Sequence, residues 1–240
     1  MGFWIHGNAG QSQTFGNLIL NTGITVNSSR TFLLNGDLTL NSGSTLNMTG
    51  TSVANLSNLG SFISQLGTGT LNLKSTVAVP VPSSRIWFGT VNYSSTSEQG
   101  IVNGNYNNLN GSGGDRILNN GNTIRVTNTF TPGAGTYTVT GNIFEYNGTS
   151  SQTIVAMTYN NLIVSNNSAT VTTSGNIVVN GALSVNGNVI LDLATNTLSG
   201  TLISTAGTGI IRTQSTSPTP LPSGKIWSQV IQYNRATGGQ

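Results

Sequence analysis

Apolar and polar residues alternate in short bursts along most of this chain, and glycine, asparagine or aspartate closes each burst. The clearest case is residues 175–192, which form three consecutive hexads: Gly, any residue, apolar, any residue, apolar, then Asn or Asp. A period of two puts Ile177 and Val179, Leu183 and Val185, and Val189 and Leu191 on one face of an extended chain. Gly and Asn tolerate the backbone of tight corners. Each hexad is therefore predicted to be a short strand with a corner, too short to bury its apolar face unless it stacks on the coil below. The same alternation runs through Leu18 and Leu20, Ile24 and Val26, Leu38 and Leu40, and Leu46 and Met48. Asn21, Asn27, Asn35, Asn41 and Asn47 read as the closing residues of those strands. From residue 52 to 65 the spacing loosens. Val53, Leu56, Leu59, Ile63 and the following Leu66 suit a short helix or a wide loop. The predicted fold is all-β: a single parallel β-helix (β-solenoid), right-handed, of about 10–12 coils. A left-handed hexad helix is the alternative.

A long internal repeat sets the domain organisation. Gly67-Thr68-Gly69, Pro80-Val81-Pro82-Ser83, Arg85-Ile86-Trp87 and Tyr93 recur as Gly207-Thr208-Gly209, Pro220-Leu221-Pro222-Ser223, Lys225-Ile226-Trp227 and Tyr233, all at one constant offset without a gap. A second marker runs from Tyr93 through Gln99 to Tyr106-Asn107-Asn108-Leu109. It recurs from Tyr146 through Gln152 to Tyr159-Asn160-Asn161-Leu162. Gln13, Gln99, Gln152 and Gln240 then delimit modules 13–98, 99–151 and 152–240, two long and one short, within one solenoid domain. The chain stops in mid-motif, so it is expected to be a piece of a larger protein, with Met1 an addition. Each proline removes a ladder donor, which predicts corners or bulges at both Pro blocks.

Composition narrows the chemistry. Charged residues make up 5% of the chain, against roughly 25% in average soluble domains. The regular placement of Leu, Ile and Val argues against disorder. Eight basic residues give a net charge of +3, but they are scattered, which speaks against nucleic-acid binding. No apolar run reaches the roughly 20 residues of a spanning helix, so no membrane insertion is expected, and no signal peptide is evident. With no cysteine and one histidine, His6, thiolate sites and histidine-based catalysis are unavailable. The five acids, Asp37, Glu98, Asp115, Glu145 and Asp192, are dispersed, and Asp115-Arg116 reads as a loop ion pair. No catalytic residue, metal ligand or cofactor is assigned. Trp87, Tyr93, Trp227 and Tyr233 are the candidate surface-binding residues, since aromatic rings stack on sugars. Their recurrence favours packing between coils, since a packing element must repeat whereas a binding face should vary. Thr-x-Thr pairs such as those in residues 136–140 resemble flat ice-binding ladders, but too few occur, and not at one position per coil.

The blocks at residues 207–240, 152–162 and 175–198 together resemble the repeat region of large secreted surface proteins of gliding bacteria. These are the SprB-type adhesins exported by the type IX system. More loosely, the blocks resemble filamentous-haemagglutinin-like β-helix adhesins. The resemblance implies an extracellular, non-enzymatic protein that serves as a stalk or adhesive surface. Its expected partners are glycans or surface polymers, with end-to-end or side-by-side self-association. A carbohydrate-active β-helix lyase or hydrolase and a self-assembling filament subunit are the alternatives.

Overall fold

The computed structural model describes residues 2–5 (as a strand path), 11–58, 62, 64–119, 121–166 and 170–235. His6, Leu59, Ile63 and Gln240 lie outside them. The described residues contain strands and no helix, and the strands stack in parallel as a β-solenoid of about 11 turns. They fall into two compact units, Met1–Asn119 with Thr131–Thr138, and Asn120–Phe130 with Val139–Gln240.

In the second unit each of the three hexads becomes one strand: Ile177–Val179, Ala182–Val185 and Ile190–Asp192. Each joins a different parallel sheet, so the corner residues turn the chain from one face of the coil to the next. The six predicted core positions are all buried. Ile177 pairs with Leu198, Leu183 with Thr205 and Leu191 with Ile211, so one turn of the coil consumes nearly the same length of chain on all three faces.

The first unit is built the same way. Thr25–Ser28, Thr45–Met48, Thr70–Leu73 and Arg85–Tyr93 lie side by side. Val26 pairs with Leu46, Leu46 with Leu71 and Leu71 with Val91, so the middle coil of the three is longer than its neighbours. Gly23 and Gly43 adopt φ of 73° and 69°. Each occupies the third position of a turn closed by Ile24 N–H to Asn21 O (3.1 Å) and Ser44 N–H to Asn41 O (2.9 Å), where positive φ favours glycine.

The extra residues of the longer coil fall where a helix was conceivable, and the structure corrects that reading. Leu56–Asn58 and Ser64–Leu66 are strands. Leu56, Phe62 and Gln65 point inward. Neighbouring coils offer ladder partners on two different sheets, Leu33 to Ser57 and Leu38 to Gln65, and this pairing outweighs the local helical spacing. Both Pro blocks sit at corners. The Pro80 carbonyl accepts the amides of Asn55 (2.8 Å) and Leu56 (3.0 Å), and the Pro220 carbonyl that of Leu198 (2.9 Å).

Candidate functional site

The alternation that buries Leu46, Leu71 and Val91 turns the residues on either side of them outward. Thr25, Thr45, Thr70 and Thr90 therefore stand in register, and so do Asn27, Asn47, Asn72 and Asn92. Thr-x-Asn recurs once per coil over four coils, as two parallel polar columns about 4.8 Å apart from coil to coil. The asparagines are hydrogen-bonded to one another. Asn47 Nδ2 donates to Asn27 Oδ1 (2.8 Å), Asn72 Nδ2 to Asn47 Oδ1 (2.6 Å) and Asn92 Nδ2 to Asn72 Oδ1 (3.1 Å). Ser112 Oγ completes the row on Asn92 Oδ1 (2.9 Å). Asn27 and Asn47, read from sequence as strand-closing residues, are thus inside strands. The missed signal was the Thr two positions before each of them.

Two grooves of about 330 and 600 Å³ adjoin this array and share Thr49, Lys74 and Ser94. The larger continues over Thr51, Thr76 and Thr96 to Glu98. The face offers hydroxyls and amides on a rigid lattice, with one cation and one carboxylate at its margin.

The four aromatic candidates separate. Trp87 and Tyr93 are fully buried, which corrects their placement on a binding surface. Trp87 stacks on Tyr106 (centroids 6.4 Å apart, 11° between planes) and packs on Phe62 (5.8 Å). Trp227 is half-buried and Tyr233 is 58% exposed.

The recurring Tyr–Gln–Tyr marker proves to be a buried latch, present in both units. Tyr93 and Tyr106 share a hydroxyl–hydroxyl bond of 2.8 Å, the Tyr106 hydroxyl donates to Val102 O (2.7 Å), and Val102 N–H donates to the Tyr93 hydroxyl (3.2 Å). Gln99 spans the coils: its Nε2 donates to Leu73 O and Ser75 O, and its Oε1 accepts from Ser95 N–H. Tyr146, Tyr159, Val155 and Gln152 repeat the arrangement. Burial pushes Tyr93 and Tyr146 up to about 12. It also drives Tyr106 and Tyr159 well above the ordinary tyrosine value, with each partner hydroxyl adding to the rise. All four therefore act as neutral hydrogen-bonding groups.

The acids are dispersed across these faces. Asp192 Oδ2 pairs with Arg212 (2.7 Å), and Glu145 Oε2 with Arg125 (2.8 Å). Asp115 accepts the Thr136 amide (2.9 Å), which holds its carboxyl below the usual range. Arg116 does not form the expected side-chain pair with Asp115. It is fully buried, and its guanidinium donates to the backbone carbonyls of Tyr93 (2.6 Å), Ser95 (3.2 Å), Ser112 and Asp115 (2.8 Å). Among the described residues, no three acid, histidine or cysteine side chains gather where they could hold a metal ion. No family model matches the chain, and neither curated proteins nor solved structures give a match.

Proposed function

We propose that the chain is a structural and adhesive segment of a secreted bacterial cell-surface protein, a stalk with a weak multivalent binding surface for glycans or surface polymers. The observation that carries this reading is the in-register array of Thr25, Thr45, Thr70 and Thr90 beside Asn27, Asn47, Asn72 and Asn92. Many identical hydrogen-bonding groups at a fixed spacing bind a repetitive polymer weakly at each point and usefully in sum. The asparagine ladder holds the array in place, so little side-chain entropy is lost on contact. The sequence resemblance to SprB-type repeats and an extracellular location belong to the same proposal.

The test is retention on immobilised neutral glycans and on cellulose and chitin. Thr45→Leu combined with Thr70→Leu removes two central hydroxyls without adding charge. Retention is expected to fall about tenfold or more, because avidity multiplies the loss at each point. A double variant retained as well as the unaltered chain contradicts the proposal, as does an unaltered chain that binds none of these polymers.

A second reading, ice binding, is favoured by the same register, because a threonine does recur once per coil on this face. Hydrogen-bonded water oxygens lie about 2.8 Å apart. Tetrahedral geometry then places second neighbours about 4.5 Å apart, close to the coil spacing of about 4.8 Å. This reading expects faceted ice crystals and a gap between freezing and melting points, both lost in the same double variant. Unaltered ice growth removes it.

A further inference from the structure

The two Pro blocks build the same cleft twice, once in each unit. In the first, strand Leu56–Asn58 and the corner Val79, Val81, Pro82 and Ser83 enclose about 330 Å³, with Arg85 at the rim. In the second, Leu198 and Ser199 with Leu221, Pro222 and Ser223 enclose about 460 Å³, with Lys225 at the rim. The same backbone bond shapes both, Leu56 N–H to Pro80 O and Leu198 N–H to Pro220 O. Both volumes lie at the lower end of small-ligand pockets, which run to roughly 1,000 Å³.

The linings share a chemistry. Each has an apolar floor, two serines, a single cation and no carboxylate. The corner backbone accounts for the prolines but not for a cation at the same rim position in both copies. Arg85 has no ion pair among the described residues, and its Nε is buried without a hydrogen-bond partner. Lys225 Nζ donates to Thr201 O (2.7 Å), which fixes the ammonium beside the cleft and leaves it two further protons to donate. Val79 is 55% exposed, so the apolar floor of the first cleft is open to solvent.

From this we infer that the paired clefts are binding sites for acidic polysaccharide, each taking one uronate-type sugar. A pyranose ring presents C–H groups to Val79 and Pro82 in the first cleft and to Pro222 in the second, with Val81 and Leu221 packed beneath. Its hydroxyls face Ser83 or Ser223, and its carboxylate faces Arg85 or Lys225 as a charge-assisted hydrogen bond. The inference rests on the adhesive reading and gives it a ligand class and two addresses away from the Thr/Asn array.

The test is calorimetric titration of the full chain with oligogalacturonate and with its methyl ester. The acid is expected to bind at two sites per chain, more weakly as salt is raised. The ester should bind about tenfold more weakly or worse, the worth of one hydrogen bond to a charged group. Arg85→Gln and Lys225→Gln should each leave one site, and the double variant none, with circular dichroism unchanged. A stoichiometry other than two, two sites surviving in the double variant, or an ester bound as tightly as the acid overturns the inference. Loss of galacturonate binding in the Thr45→Leu, Thr70→Leu variant but not in the double cleft variant also overturns it, while leaving the adhesive reading standing. Failure on the neutral polymers with cleft binding intact does the reverse.

Discussion

Between about pH 10 and about pH 12 the protein is expected to lose stability steeply, after a nearly flat range from about pH 7 to pH 9. The cause is the buried tyrosine pair in each unit. Tyr93 and Tyr146 titrate at about 12 in the folded chain, against 10.0 for an ordinary tyrosine. Below pH 10 both folded and unfolded chains hold these protons, and the tyrosines add no slope. Above pH 10 the unfolded chain releases them first. It then binds fewer protons than the native state, so stability falls as pH rises through the folded value. A gap of this size is worth about 3 kcal/mol for one tyrosine in each pair. The second hydroxyl of each pair ionises only against the charge of the first, so the pair as a unit sets the edge of the transition. Urea midpoints measured across this range check the expectation, and Tyr93→Phe should flatten the slope. A midpoint that holds steady to pH 12 would mean the pairs are not buried as described.

Trp87→Ala is expected to cost about 3–5 kcal/mol, the usual range for emptying a large aromatic site. Trp227→Ala, at the equivalent position of the second copy, should cost about 1 kcal/mol or less. Trp87 is sealed between Phe62 and Tyr106. Its indole N–H has no hydrogen-bond partner, so the whole loss is packing. Beside Trp227 no following coil is present among the described residues, and the ring is half-buried. Chemical denaturation followed by circular dichroism decides the matter, and equal losses at the two positions would contradict it.

Much of the fold was legible because a period of two needs no tertiary information. Ile177, Val179, Leu183, Val185, Val189 and Leu191 could be assigned to the core from alternation alone. The Tyr–Gln–Tyr marker was also visible, but not its role. Nothing in the spacing of Tyr93, Gln99 and Tyr106 says that the two hydroxyls meet inside the coil. The Thr/Asn array was harder to see. The step from Asn47 to Asn72 is longer than the steps from Asn27 to Asn47 and from Asn72 to Asn92. The insertion within 50–63 therefore breaks the sequence period while leaving the spatial register intact. Arg116 misled because an adjacent acid invites an ion pair, whereas a corner crowded with backbone carbonyls holds the guanidinium instead.

By itself the sequence determined the strands and core positions of the regularly alternating stretches and the repeat that relates the two Pro blocks, because each depends on neighbours close by in the chain or on direct recurrence of the letters. Only the tertiary structure decided what a repeated segment becomes. Arg85–Tyr93 is one continuous strand with ladder partners on both sides. In the second copy only Val230–Tyr233 forms a strand, paired on one side, while the segment at Lys225 to Trp227 stays irregular. Strand hydrogen bonds are made between coils rather than within them. Equivalent residues therefore become buried ladder or open surface according to what lies above and below them.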